Sequence, residues 1–299
     1  MPDALLVFDR RSVRLHRERV AASLPQHDFL LREIGERLVD RLDDVRREFP
    51  IALDLGCRHG ALAGDLAGRG VQTLIHCDLA YGMVRRAAGL RVVADEEALP
   101  FAAASFDLVI SLLNLHWVND LPGALLQIRR ALKPDGLFLA ALFGGETLKE
   151  LRRSLAEAEI AAEGGLSPRV SPFADVRDAG NLLQRAGFAL PVADVETLTV
   201  SYADPFSLLA DLRGMGETNA VLERRKTASR RATLFRAVEL YEQFYGNEGR
   251  VPATFQVVFL TAWAPDASQP KPVKPGSAVA RLAEALEAEE IPAGDLARP

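Results

Sequence analysis

The chain has 299 residues, 48% of them hydrophobic and 26% charged, a balance that excludes disordered and fibrous classes and permits one large domain or two small ones. Its 36 basic residues, only five of them lysine, face 41 acidic ones for a net charge of −5, too acidic for a generic nucleic-acid coat. Two cysteines, Cys57 and Cys77, exclude a disulfide scaffold and a four-thiolate metal site and suit a reducing cytoplasm, and no apolar run approaches the ~18 residues of a membrane span.

Residues 1–49 are charge-dense and helical in pattern. A short apolar stretch, Ala4–Phe8, precedes arginines, the reverse of a secretory signal. Phe29, Leu30, Leu31, Ile34, Leu38 and Leu42 then recur at helical spacing. From Ile51 the pattern becomes short apolar runs alternating with helices. Strands are predicted at Ile51–Leu55, Thr73–Asp78, Val92–Ala94, Leu108–Ser111 and Leu137–Leu142, with helices near 60–68, 80–88 and 121–132. That alternation predicts an α/β, doubly wound, Rossmann-like sheet whose strand ends form a binding crevice. Beyond Phe143 a helix over Glu146–Glu163 ends at Gly164-Gly165, and a second is predicted over Asp175–Ala186. Strands at Val195–Tyr202 and Phe255–Trp263 bracket a long helical stretch, Pro205–Tyr245, which suits a lid at about 205–247. Four prolines between Pro265 and Pro275 open an Ala/Glu-rich tail, 265–299, kept out of the core; the expected main domain spans 50–264.

The sharpest local signal is Leu53–Gly60, LDLGCRHG. A strand runs into a glycine-containing turn that opens a helix, the context in which backbone approaches a ligand and free N–H groups face it. The acidic Asp54 precedes the first glycine, which disfavours a pyrophosphate and suits a cationic ligand. The second strand ends in Asp78, where a carboxylate can receive both hydroxyls of a ribose. The third ends in Asp95-Glu96, where one can accept from an adenine amino group. Each could instead be a helix-capping residue, but three consecutive acidic strand ends form a pattern.

These segments, with ADEEALPF (94–101), FDLVIS (106–111) and LKPDG (132–136), resemble the class I S-adenosylmethionine-dependent methyltransferases. The resemblance implies seven strands with the last antiparallel, and S-adenosylmethionine as cofactor. It implies Asp54, Gly56, Cys57 and Gly60 near the methionine part, Asp78 and Leu79 at the ribose, Met83 on the adenine, Asp95 and Glu96 beside it, and Ser111 in the cleft. Arg58 stands where the family usually has glycine; its guanidinium either turns to solvent or meets the cofactor carboxylate.

A narrower resemblance covers roughly residues 6–264. It is carried by Val7–Arg10, Leu115–Asp120, Phe143–Leu148, Glu163–Gly165, Ser171–Phe173, Asp211–Asn219 and Val251–Gln256. These strings resemble the bacterial counterparts of a mitochondrial complex I assembly factor family, a protein arginine hydroxylase of methyltransferase fold. The resemblance implies a protein acceptor, a respiratory complex I subunit being the candidate, and work beside the inner membrane during assembly; the charge balance argues against a nucleic-acid partner, and the cysteines and N-terminus argue for a cytoplasmic protein. The malonyl-acyl carrier protein O-methyltransferases share the fourth-strand region, so methylation of a carrier-bound or small carboxylate, arginine hydroxylation and a non-catalytic assembly chaperone stand as alternatives.

His116, after the fourth strand and beside Trp117, is the candidate general base, with Trp117 as a wall of the acceptor pocket. His59 is a weaker candidate, and His16, His27 and His76 show no ligand spacing, so no metal is expected. Arg224, Arg225, Lys226, Arg230, Arg231 and Arg236 fall within thirteen residues without an acid. On one helix they would form a basic face for an acidic partner. Arg213 and Met215, in the Arg213–Gly216 string, are expected at the mouth of the active site.

Overall fold

The computed structural model describes residues 6–173, 176–270 and 288. The seven strands are β1 (Ile51–Leu55), β2 (Thr73–Asp78), β3 (Leu90–Val93), β4 (Phe106–Leu112), β5 (Leu132–Phe143), β6 (Ala189–Tyr202) and β7 (Val251–Trp263). They form one sheet in the order β3-β2-β1-β4-β5-β7-β6. The strands from β1 to β5 pair parallel, and β7 runs antiparallel to both β5 and β6. Strand order reverses between β1 and its two neighbours, so the carboxyl ends of β1, β2 and β4 open on the crevice where such sheets bind ligands.

Burial explains which runs became central. All seven residues of β4 are buried, as a strand covered on both faces requires. In β6, at the sheet edge, exposed and covered residues alternate instead. The two sides of the sheet carry separate apolar clusters, one built on α2 (Phe29–Asp40) and the other on α5 (Leu121–Ala131). Each fully buried Leu or Ile there contributes about 1.5–3 kcal/mol.

Helix starts follow capping chemistry. Asp9 opens α1 (Arg10–Val20), its Oδ1 accepting from the Ser12 amide at 3.0 Å, and Asp120 opens α5 with Pro122 in the first turn. Asp204 caps α8 (Pro205–Gly214) through the amides of Phe206 and Ser207. The remaining helices are α3 (Ala63–Gly68), α4 (Tyr81–Val84), α6 (Lys149–Glu163), α7 (Val176–Arg185) and α9 (Arg231–Tyr245).

Several expected boundaries move. The third strand begins at Leu90, the helix expected over 80–88 is only α4, and β5, β6 and β7 start five, six and four residues earlier than their apolar runs. The stretch 205–245 is not one helix: Gly214-Met215-Gly216 ends α8, and an irregular segment carries the chain to α9. The described residues up to Pro265 belong to one compact unit. Asp175, and the expected loose helix beyond residue 270, lie outside the described residues apart from Ala288. No helix among the described residues is long and apolar enough to cross a membrane.

Candidate active site

The turn after β1 is bound to the end of β2: the amides of Gly56 and Cys57 both donate to the Cys77 carbonyl, at 2.7 and 3.0 Å. Gly56 has φ +76°, and a Cβ there would lie 2.1 Å from Asn114 Cγ, so only glycine fits. Two residues on, Arg58 holds φ 52°, a left-handed conformation that costs a non-glycine residue about 1–2 kcal/mol. Its amide donates to Asp78 Oδ2 at 3.1 Å, which ties the turn to the second acidic strand end. The Arg58 side chain turns inward, 2% exposed, and Nη2 donates to the Leu113 carbonyl at 3.0 Å and to Glu217. Neither solvent nor an open cleft receives it.

The second and third acidic strand ends converge, but their partners come from α1. Arg17 and Asp78, both without exposed side-chain surface, pair at 3.3 Å. The other oxygen-facing contacts of Asp78 are the amides of Ala80 and Arg58. Arg17 also reaches Glu96 at 3.5 Å and donates to Asn114 Oδ1. Arg10 meets Asp95 at 2.7 Å and pairs with Glu96. Burial works against the charged Glu96, yet Arg10 and Arg17 outweigh it and hold the carboxyl below its ordinary range.

Asp54 lies beside His76 because β1 and β2 pair in that register, with Oδ2 3.1 Å from Nδ1. Cys57 joins them: the three buried donor atoms lie within 4.8 Å of one another. His76 therefore does have neighbours of ligand type, contrary to its isolation in the sequence, because the register sets it beside residues 19 and 22 positions away. Burial raises both the Asp54 carboxyl and the Cys57 thiol.

His116 and Trp117 occupy a short 3-10 turn after β4 and are both buried. Glu217, on the segment following α8, receives His116 Nε2 at 3.2 Å and Trp117 Nε1 at 2.8 Å through one oxygen and Arg58 through the other. Burial works to raise the Glu217 carboxyl, but Arg58, His116 and Arg17 hold it down at about 2. Burial lowers His116, outweighing the attraction of Glu217, so the imidazole is neutral at pH 7, with Nε2–H turned to Glu217 and its accepting nitrogen, Nδ1, buried without a hydrogen-bond partner among the described residues.

Above this group lies a cavity of about 310 Å³, walled by Trp117, Phe143, Phe173, Leu209 and Phe255, with Glu217 in its lining and Arg169 and Arg213 on its polar side. Glu217 reaches the cavity wall while His116 stands behind it. Glu217 was legible only as one letter of the Asp211–Asn219 string; its role needed three partners 100 or more positions distant.

Other expected site residues are placed differently. Ser111 Oγ is spent on the Leu55 carbonyl at 2.9 Å, stitching β4 to β1. Met83 and Met215 are buried in the main apolar cluster, so Met215 does not line the cavity mouth although Arg213 does. Leu79 packs against the cluster of Phe8, Val13 and Trp117. Arg224 is bound to Asp9 and Ser12, and Arg225 to Glu163. Neither is a free partner-binding cation, and the six basic residues share no helix, because α9 begins only at Arg231. Lys226, Arg230 and Arg231 are exposed.

The acidic strand ends and the glycine turn are the right chemistry for an adenosyl ligand: paired carboxylates for a diol and an amine, with Arg58 Nε and Nη1 and Arg17 Nε buried without hydrogen-bond partners among the described residues. In this conformation Asp78, Asp95 and Glu96 are engaged by the chain's own guanidinium groups.

Residues 53–140 match the family model described as a methyltransferase domain. The YcgJ protein of Bacillus subtilis superposes with a TM-score of 0.54 at 15% identity, over 77% of this chain and 99% of that one, which is a likeness of fold. Sheet order, antiparallel last strand and glycine turn thus define a class I methyltransferase fold. The mitochondrial arginine-hydroxylase NDUFAF5 of Danio rerio is 45% identical over 280 residues, covering 91% of this chain and 87% of the relative. A malonyl-[acyl-carrier protein] O-methyltransferase of Methylovorus is 36% identical over 280 residues, covering 89% and 92%. The chain belongs to the family of methyltransferase-fold proteins that contains NDUFAF5.

Proposed function

We propose that this chain is an S-adenosylmethionine-dependent enzyme of methyltransferase fold that modifies a protein side chain during assembly of respiratory complex I. The observation that carries the reading is the cavity floored by Glu217, with neutral His116 behind it and the acidic strand ends linked to it through Arg58. Asp78 would hold the ribose, Asp95 and Glu96 the adenine edge, and the turn 56–60 the methionine part; the bound cofactor would supply an activated methyl group. The chain's own residues do the rest. Glu217 is a carboxylate at the wall of an apolar cavity, suited to orient a cationic side chain. His116 holds that carboxylate from behind through its Nε2–H, and Trp117, Phe143 and Phe173 exclude water. Arginine is the side chain to examine first, since relatives at 43–45% identity carry the name arginine-hydroxylase. Lys226, Arg230 and Arg231 lie exposed near Ser229 and Leu234 of the cavity lining, a surface suited to an acidic protein partner.

A carboxylate acceptor is the second reading. It is favoured by Arg213, exposed at the cavity, and by the malonyl-carrier methyltransferase relative. Mass spectrometry of complex I subunits from cells lacking this protein tests the first reading. Loss of one methyl group from a subunit side chain is the expected result, and loss of one oxygen atom would replace methylation by hydroxylation. An unchanged subunit set would sink the protein-modification reading.

A further inference from the structure

The three carboxylates assigned to the ribose and the adenine edge, Asp78, Asp95 and Glu96, are all paired with one helix. We propose that α1 is an internal latch: Arg17 and Arg10 occupy the acidic strand ends, and an adenosyl ligand enters as α1 withdraws them. The proposal rests on the adenosyl reading above and adds how that site is regulated.

Asp78 Oδ1 receives both Arg17 and the Ala80 amide, and Oδ2 receives the Arg58 amide. A diol that donates to both oxygens competes directly with Arg17. Glu96 is claimed from both sides, by Arg17 on Oε1 and Arg10 on Oε2. Arg17 is wholly enclosed, so a change of its rotamer alone does not clear the space; the helix that carries it has to shift.

The attachments of α1 show how it could shift. The segment leading into it, residues 7–9, lies between Asn119, whose Oδ1 accepts the amides of Val7 and Phe8 at 2.8 and 2.7 Å, and the segment 220–222, which exchanges backbone hydrogen bonds with it. Val13 and Val20 are buried and Glu18 accepts from the Gly82 amide at 2.9 Å, so the opening has to carry the whole helix, a local opening that costs less than global unfolding. The ion pairs broken inside would be replaced by hydrogen bonds to ligand hydroxyl and amino groups.

The same leading segment touches the acceptor side. Phe8 meets Trp117 edge-on at 5.4 Å, Arg10 Nη1 donates to the Trp117 carbonyl at 3.0 Å, and Arg224 of the segment beyond Glu217 binds Asp9. Withdrawal of α1 therefore loosens one wall of the cavity as the adenosyl site opens, which couples the two sites through a shared element.

The test uses the full chain with S-adenosylhomocysteine as probe. Titration calorimetry compares the natural protein with Arg17→Met, which keeps the stem and removes the charge. If the latch is closed about nine times in ten, Arg17→Met binds the probe about tenfold more tightly. Hydrogen exchange of the natural protein gives a second reading, independent of whether the variant folds: amides of residues 13–20 exchange faster when the probe is bound. Equal or weaker binding by a folded Arg17→Met, or unchanged or slower exchange in α1 on binding, overturns the latch and leaves the adenosyl reading standing. Absence of probe binding by the natural protein and the variant overturns both.

Discussion

Arg58 and Glu217 meet 159 positions apart in sequence, a guanidinium 2% exposed against a carboxylate 8% exposed. The pair stands at the junction of the glycine turn and the acceptor cavity, and Glu217 passes the contact on to His116 and Trp117. Removing one member of a buried pair leaves the other charge uncompensated, which costs about 3–5 kcal/mol. Glu217→Ala should therefore lower the midpoint of urea unfolding strongly. Glu217→Gln, which keeps an acceptor for Arg58 and Trp117, should lower it less. Equal midpoints for Glu217→Ala and the natural chain would refute the pairing.

Arg58→Gly tests two opposing effects at one position. Glycine relieves the left-handed backbone, worth about 1–2 kcal/mol, and matches the residue usual in the wider superfamily. It also strands Glu217 beside a buried imidazole. The second effect is the larger, so the single variant should be less stable than the natural chain. In Arg58→Gly/Glu217→Gln no charge is stranded and the strain relief remains, so part of the loss should return. The coupling is read from a double-mutant cycle, and strictly additive losses would contradict it.

How much of this was legible varies with the range of the interaction. The turn Gly56–Gly60 and the strand ends at Asp54 and Asp78 stood out because strand, turn and helix signals are local. The doubly wound sheet followed from the alternation of elements, and its antiparallel last strand from the family resemblance alone. The partners of those acids did not stand out: Arg17 reaches Asp78 over 61 positions and Arg10 reaches Asp95 over 85, and a helix rich in arginine reads as a solvated face until it is docked. The glycine pair around Met215 was legible as a point of close backbone approach, although the stretch as a whole reads as helix. The reason for the break there was not: Gly216, at φ +79°, is crowded by Val20 at 3.2 Å and approached by Arg58.

Acid should weaken the fold in two windows. Burial lowers the folded His116 below its ordinary 6.5, so below about pH 6.5 the unfolded chain takes up a proton that the folded chain refuses. That contribution is complete above about 6.5 and declines as the pH falls. Glu217, held at about 2 against an ordinary 4.5, contributes above about 4.5 and is lost as the pH falls towards 2. Unfolding free energies measured by urea between pH 8 and 3 should fall in both windows. His116→Asn should flatten the upper one only in part, because burial also lowers His16 and His59. A profile for His116→Asn that superimposes on the natural one would remove His116 from the account.

Filling the cavity should separate the two binding events. Leu209 lines it, at a point away from the strand ends that carry Asp78, Asp95 and Glu96. Leu209→Trp adds several heavy atoms to a space of about 310 Å³, enough to obstruct an inserted side chain. Because overpacking in a partly open cavity is less costly than in a filled core, a stability loss at or below the usual 1–3 kcal/mol is expected. Binding of S-adenosylhomocysteine, measured by calorimetry, should be retained within about twofold, since none of its candidate contacts is altered. Modification of the protein acceptor, read by mass spectrometry in cells carrying the variant, should be lost. If the acceptor is still modified at the natural level, the side chain enters elsewhere, and Glu217 is then a structural anchor for Arg58 rather than part of the acceptor site.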